Sequence, residues 1–534
     1  MITRERLWRD GQTALQSLLL ALTIALGFAL AWQGGFSIDD EFERRTIEVN
    51  AVAVQTFFDG SDTSFVALNA YGDRYYGVGF HALSAPVRSV VAPLYENLQG
   101  LDRRDALIAA SHIAVFLFAL FGAYALYRVL RLLGARPMFA RWAVIFFLAN
   151  PYVLGHATMN VKDAPFMVAW MLCTWRLLVP CERLLRHGTV RLMDFFWLGL
   201  CTALLLSIRV SGLLVAVEYL IAAALLVALA HRALWSRRGK LLIGVAITLI
   251  TMLLLVWLAY PVFWLAPWKF AEAVAYMSHH PWGGCTWTMG ACLPAQNLPW
   301  FYVPAWLGVK VSMVAWIGIA AALPMLWRRR GETMWLLAVW TLLISIVGIY
   351  LVLVAMHANL YNEIRQVLFL VPMIYLLAFL ALERWKKIGV GLLIAGIAVA
   401  ALDQVALFPY PYAWFNEASR FTDVGENFET DYWMLSTREM AALLPAMNLP
   451  AGVCVFTPYP QQMQPFASGP AGTCLNSSLL LPNDEPRPFL LYSVPHFVGR
   501  HYDDVAGCQT VYPLVRQLSF ASKPMELAAW RVCL

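Results

Sequence analysis

The sequence predicts a polytopic α-helical membrane protein of about 11 transmembrane helices with a small α/β domain at its C-terminal end. Three observations carry this. Hydrophobic side chains make up 60% of the 534 residues and charged ones 13%, with a mean hydropathy of +0.62. A soluble domain carries roughly twice that charged fraction. Apolar runs of about 18 or more residues recur along most of the chain, each long enough to cross a bilayer. Lys and Arg gather in alternate connections between those runs. Together these exclude a cytosolic enzyme, a disordered chain and a small disulfide scaffold. The net charge of +6 invites a nucleic-acid reading. In a membrane chain the placement of charge matters more than its sum, so no nucleic-acid partner is expected.

Taken in order, the spans fall at about 13–32, 106–129, 142–155, 164–179, 195–208, 213–230, 241–262, 303–327, 333–355, 367–382 and 388–406. With the N-terminus inside, Arg4, Arg6 and Arg9 are cytoplasmic, and every second turn adds three or four more cations. These inner segments hold 21 of the 39 basic residues and only six acids. The positive-inside rule fixes that orientation, with the C-terminal part periplasmic in a bacterial inner membrane. The first span has the basic flank of a signal peptide, and Ala29-Leu30-Ala31 resembles a cleavage site. Its apolar stretch of about 20 residues exceeds a usual signal core, so it is read as retained.

Three outer segments are too long to be connectors. The first, about 33–105, contains two amphipathic stretches at 41–58 and 82–98. The second, about 263–302, is rich in Trp, Pro and Gly. The third is the tail, 407–534, a domain separate from the 1–406 membrane module and of ordinary domain size. Within it 436–446 reads as helix and 453–457, 489–494 and 527–533 as strands. Neither an internal repeat nor a nucleotide-binding motif is present.

Cysteine placement agrees with this topology. Cys173, Cys181 and Cys201 fall in spans or at the inner face, whereas Cys285, Cys292, Cys454, Cys474, Cys508 and Cys533 all fall outside. An even six in an oxidising compartment reads as disulfides, since no CxxC favours metal ligation. Cys285 and Cys292 bracket a short loop and are expected to pair. The simplest pairing for the tail is then Cys454–Cys474 with Cys508–Cys533.

Chemistry is expected outside or within the membrane. Just beyond the first span stands Ser37-Ile38-Asp39-Asp40-Glu41-Phe42-Glu43-Arg44-Arg45. Consecutive carboxylates repel, so Asp39, Asp40 and Glu41 are candidates for a general base or a cation site. A solvated acidic helix start explains them equally well. A second polar cluster, Asn150-Pro151-Tyr152 with His156, Asn160, Lys162, Asp163 and Pro165, lies in the short turn between spans three and four. Pro165 suits a helix's first turn. Lys162 and Asp163 are either a surface pair or, as ionisable groups at membrane depth, functional. Arg209, Lys310 and Arg365 stand at outer ends of other spans, against the positive-inside bias. Together with Lys162 they point to an anionic ligand such as a lipid-linked phosphate.

Asp39-Asp40-Glu41 after the first span, the turn Asn160-Val161-Lys162-Asp163-Ala164-Pro165 and the approach Glu363-Ile364-Arg365-Gln366 to span ten resemble the GT-C glycosyltransferases. More narrowly they resemble the bacterial relatives of protein O-mannosyltransferases and of the lipid A aminoarabinose transferase. Tyr410-Pro411-Tyr412-Ala413-Trp414-Phe415-Asn416-Glu417 and Asp431-Tyr432-Trp433 resemble segments that follow the last span in that group. The resemblance implies a GT-C fold and an inverting transfer of a sugar from a polyprenyl-phosphate donor. The acceptor is a hydroxyl of a lipid, glycan or protein at the periplasmic face. Asp40 or Asp39 would be the base, and Lys162, Arg209, Lys310 or Arg365 would stabilise the leaving phosphate. A divalent metal on Asp39, Asp40 or Glu41, with His279 or His280, is left open.

Weaker features are also noted. His279-His280 are acceptor contacts or plain loop residues. Glu218 inside span six is expensive unless paired, with Arg209 the nearest cation in sequence. Trp282, Trp287 and Trp300 are candidate sugar platforms within a chain whose 22 Trp residues otherwise suit interfacial belts. The rival function is a secondary transporter or flippase of a lipid-linked sugar. The missing repeats and the long outer segments weigh against it.

Overall fold

The computed structural model describes residues 4–60, 65–278, 280, 282–328, 332–447, 453–467, 475–477, 488–495, 508–520 and 522–533. It opens with α1 (Arg4–Gln33) and continues with α2 (Ile38–Phe58), α3 (Val66–Ala70) and α4 (Gly79–Gln99). Then follow α5 (Arg103–Leu132), α6 (Pro137–Ala149), α7 (Pro151–Met159), α8 (Asp163–His187), α9 (Leu192–Ile208) and α10 (Val215–Ala259). The segment after α10 folds as α11 (Lys269–Ser278) and a hairpin, β1 (Cys285–Thr288) with β2 (Ala291–Pro294). Next come α12 (Tyr302–Lys310), α13 (Met313–Arg328), α14 (Thr333–Ala355), α15 (Leu370–Leu382) and α16 (Lys387–Leu407).

Each of the eleven apolar segments is helical, but the spans are not eleven simple rods. Among the described residues six helical stretches are long and apolar enough to cross a membrane, or eight if each of two bent pairs counts as one. The pair α6 and α7 bends by 65° at Asn150-Pro151. Pro151 offers no N–H to continue α6, and the Asn150 side chain instead accepts the Val153 amide at 3.2 Å to start α7. The pair α12 and α13 bends by 112°, where Glu417 accepts the Met313 amide at the start of α13. α15 has 13 residues, about 20 Å at 1.5 Å per residue, too short for a hydrocarbon core and buried throughout.

The 45-residue α10 contains one non-helical residue, Ala230 (φ −146°, ψ 33°). Tyr219 Oη lies 2.7 Å from Thr202 Oγ1, and Thr248 Oγ1 donates to the Phe195 carbonyl at 2.9 Å. Thr202 and Phe195 are about 10 Å apart along α9, whereas residues 219 and 248 would be about 43 Å apart on a straight helix. The helix therefore doubles back near Ala230 into two arms. These arms correspond to the sixth and seventh expected spans.

Large apolar side chains face outward along these helices: Leu220 and Leu242 are 70% exposed and Val405 81%. Such surface requires lipid. The inward faces form one continuous apolar core centred on α5, α8 and α15.

The tail contains α17 (Val424–Asn427), α18 (Thr437–Leu443), β3 (Val455–Thr457), α19 (Pro460–Met463), β4 (Leu475–Ser477), β5 (Phe489–Ser493), β6 (Cys508–Arg516) and β7 (Met525–Cys533). The strand order is β4-β3-β5-β7-β6, with β4, β3 and β5 parallel and β5, β7 and β6 antiparallel. The expected helix and three expected strands are present as α18, β3, β5 and β7. β4 and β6 were not expected: β4 has three residues, and β6 is an exposed edge carrying Pro513. Cys285–Cys292 closes the β1–β2 hairpin and Cys508–Cys533 joins β6 to β7. Cys474, the expected partner of Cys454, lies outside the described residues. Cys173, Cys181 and Cys201 are buried thiols.

The sheet does not stand apart from the membrane module. Tyr492, Trp530, Met440 and Leu444 share an apolar cluster with Ile38 of α2, Met159 of α7, Tyr412 and Trp433. The Ile38 amide donates to the Trp433 carbonyl at 3.3 Å, and Arg438 reaches the Trp32 carbonyl at 3.0 Å.

Candidate active site

The acidic run forms the first turn of α2. Ser37 caps it reciprocally: its hydroxyl accepts the Asp40 amide at 3.2 Å, and Asp40 Oδ2 accepts the Ser37 amide at 2.7 Å. Successive helical positions are turned by about 100°, which sends the three carboxylates to different partners. Asp39 pairs with Arg365. Asp40 meets His112 Nε2 of α5 at 3.2 Å. Glu41 pairs with Arg44 on the more exposed side. No group of three His, Cys, Asp or Glu residues suited to a metal occurs among the described residues.

Four elements deliver the four cations singled out in the sequence, and each meets a carboxylate. Lys162 follows the α7 break and pairs with Glu43, one turn beyond Asp39. Arg209, at the end of α9, meets Asp163 at 2.7 Å. Arg365, in the short helical turn before α15, lies 3.6 Å from the other Asp163 oxygen as well as on Asp39. Lys310, at the end of α12, meets Glu363 at 2.7 Å with both side chains wholly buried. Arg209, Asp163, Arg365 and Asp39 thus form one chain of alternating charge. Asp163 itself is held by Asn160, whose side chain accepts the Asp163 amide at 2.7 Å and donates to Asp163 Oδ2 at 3.3 Å. His156 is fully buried against Tyr152 and Trp433, its Nδ1 3.0 Å from the Asn160 amide nitrogen and its Nε2 without a partner among the described residues.

These pairs shift the acids in opposite directions. Burial opposes ionisation of Glu43, yet Lys162 and His81 together hold its carboxyl down at about 2. At Glu363 burial prevails over Lys310 and pushes the carboxyl up to about 7. Burial also opposes the charge of Arg365, but Asp39, Tyr361 and Asp163 hold its guanidinium above the ordinary value. The two arginines keep unused capacity. Arg209 Nε and Arg365 Nε are buried with no partner among the described residues, whereas both lysines are occupied by their carboxylates.

A cavity of about 250 Å³ adjoins this network. Its walls are mostly apolar, including Leu214, Leu353 and Phe369, with Arg209, Tyr76 and His280 among the polar lining. Two tyrosines connect cavity to charges: Lys162 Nζ lies 3.4 Å from the Tyr76 ring centre, and Arg365 stands 5.0 Å from that of Tyr361. Trp282 stacks on Tyr361 at 4.3 Å. His280 packs near Tyr76, and burial lowers its basicity. His279 lies outside the described residues.

Some expectations fail. Glu218 does not meet Arg209; it accepts the Trp170 indole N–H at 2.9 Å, because Arg209 is drawn to Asp163. Trp300 is 67% exposed, and Trp287 turns to the tail, donating to the Glu426 carbonyl at 2.7 Å. Other contributors escaped the sequence reading. His112 was hidden inside an apolar run, where a lone imidazole is itself a signal. Glu43 and Glu363 sat inside quoted motifs without a role, and His81, 2.8 Å from Glu43, stood at the edge of an amphipathic stretch. Tyr76 and Tyr361 gave no signal.

No family model matches the chain, and neither does any curated protein. Among solved structures the chain resembles two crystal structures of ArnT from Cupriavidus metallidurans, one bound to undecaprenyl phosphate and one in the apo state. They are 14% and 13% identical to it respectively, each with a TM-score of 0.48 over 97% of this chain and 98% of that one.

Proposed function

We propose that this protein is an inverting glycosyltransferase that moves a sugar from a polyprenyl-phosphate donor to an acceptor hydroxyl at the outer membrane face. One observation carries the reading. Cations at the ends of four separate apolar segments converge on the first turns of α2 and their carboxylate partners, beside a largely apolar cavity. An apolar cavity lined by Arg209, with Arg365 behind its Tyr361 wall and both arginines keeping a spare donor, suits an isoprenoid chain ending in phosphate. Arg209 and Arg365 are the phosphate ligands in this scheme; Lys162 and Lys310 hold the carboxylates that frame it.

Asp39 is the base. Its side chain is 18% exposed, against 2% for Asp40, whose oxygens are engaged by Ser37 and His112. Arg365 pairs with Asp39 until the acceptor arrives and then serves the departing phosphate. Asp39 takes the hydroxyl proton as the oxygen forms its bond to the anomeric carbon and the carbon–phosphate oxygen bond breaks. The phosphate leaves as a stable anion, so charge stabilisation replaces an acid. Asp40 is a positioning residue that fixes the start of α2.

The test follows turnover of lipid-linked sugar by the purified chain. Asp39→Asn should lower transfer by roughly 10²- to 10⁴-fold. Arg209→Gln or Arg365→Gln should weaken donor binding roughly 10- to 150-fold while sparing the acceptor. Undiminished transfer in Asp39→Asn would reject Asp39 as the base. Transport of lipid-linked sugar without any transfer would replace the enzyme by a flippase.

A further inference from the structure

A second cavity, of about 120 Å³, lies between α2 and helices α4 and α5. Asp40, Glu43, His81, Arg88 and Arg104 line it, with apolar wall from Leu107 and Ile108. Its acids are already matched. Glu43 is held by Lys162 and His81, Glu48 by Arg44 at 2.6 Å, and Asp40 by His112. Arg88 is not matched. It donates to the His81 carbonyl at 2.8 Å, its Nε is buried without a partner, and no carboxylate pairs with it among the described residues. Arg104 stands at the same cavity, largely exposed and 3.6 Å from Glu48. A partly buried guanidinium with no counterion is costly, and the cavity is positive where it is least satisfied.

The helix that carries Arg88 also faces lipid. Leu83, Val90, Leu94 and Leu98 of α4 are between 51% and 76% exposed. At 100° per residue they fall on one narrow stripe, the pattern of a helix lying in the membrane interface. Arg88 stands roughly 120° around α4 from the centre of this stripe, on the face that lines the cavity.

We infer that this cavity is a binding site for an anionic membrane phospholipid, its phosphate held by Arg88 and Arg104 and its acyl chain laid along α4 and the Leu107–Ile108 wall. The lipid sits against Asp40 and Glu43, and so steadies the α2 turn that presents Asp39. The site does not depend on the transferase reading, because it requires no sugar.

Native mass spectrometry of the full chain, delipidated and titrated with dioleoylphosphatidylglycerol or dioleoylphosphatidylcholine, tests this. The anionic lipid should bind one-to-one, roughly 10-fold or more tighter than the zwitterionic one. Arg88→Gln should weaken it roughly 10- to 150-fold. Should that variant not fold, Arg104→Gln changes an exposed side chain and should still weaken binding several-fold. Equal retention of the two lipids, or wild-type retention in every folded variant, overturns the inference. Complete displacement by millimolar inorganic phosphate also overturns it, in favour of a soluble anion. Conversion of the bound lipid to a glycosylated product on adding donor would make the occupant the acceptor and likewise overturn the assignment to a resident phospholipid.

Discussion

Asp163 is the member of the charge chain whose loss is most consequential, since it alone touches both Arg209 and Arg365. Its oxygens lie 2.7 Å from Arg209 and 3.6 Å from Arg365, and its side chain is 1% exposed. At an effective dielectric constant of about 20, those separations correspond to gross attractions of roughly 6 and 5 kcal/mol. Desolvation of three charges offsets most of this, but removing Asp163 leaves Arg209 buried without a carboxylate among the described residues while Arg365 keeps Asp39, at a cost of about 3–5 kcal/mol. Asp163→Asn preserves shape and the hydrogen bonds to Asn160, so the loss reports charge rather than packing. Unfolding in mixed micelles of rising denaturing-detergent content measures it. Combining Asp163→Asn with Arg209→Gln should restore part of the loss, with a coupling of about 1–3 kcal/mol. Strict additivity within about 0.5 kcal/mol would refute the reasoning, because two residues joined only by proximity in sequence or space do not couple.

Three further outcomes follow from particular contacts. The Glu43 carboxyl titrates at about 2 in the fold against an ordinary 4.5, so its contribution is complete above about pH 4.5 and lost as pH falls toward 2. The difference is worth about 3 kcal/mol, and Glu43→Gln should show less further loss of stability between about pH 5 and pH 3 than the parent. A Cβ on Gly155 of α7 would stand 2.3 Å from the Tyr412 amide nitrogen and 2.7 Å from its Cα. Backbone cannot yield there as a side chain could, so Gly155→Ala should loosen the tail and raise its proteolysis; an unchanged digestion pattern would show that Tyr412 is not seated on α7. Breaking Cys508–Cys533, which spans 25 residues, with Cys508→Ser should cost about 3 kcal/mol, read as a lower unfolding midpoint that added reductant shifts less than it shifts the parent's.

How much of this was legible in the sequence follows from the range of the forces involved. Hydropathy and the asymmetry of Lys and Arg act locally, so the apolar segments, the long segments between them and the C-terminal strands with continuous apolar runs could be read directly. The polar residues at helix starts were equally visible, because Asp39, Asp40, Lys162, Asp163 and Arg365 are anomalous at membrane depth whatever they touch. Pairing is not local. That Arg209 takes Asp163 and leaves Glu218 to Trp170, or that Lys310 takes Glu363, depends on where helix ends meet. The bends at Asn150-Pro151 and between α12 and α13 likewise needed neighbours to supply the partners that a broken helix loses, whereas the reversal near Ala230 falls where the sixth expected span ends. Sequence determined which groups had to be satisfied; the packing of α2 among α5, the α7–α8 turn and the approach to α15 decided by whom, because burial leaves each charge only the partner that the fold brings within reach.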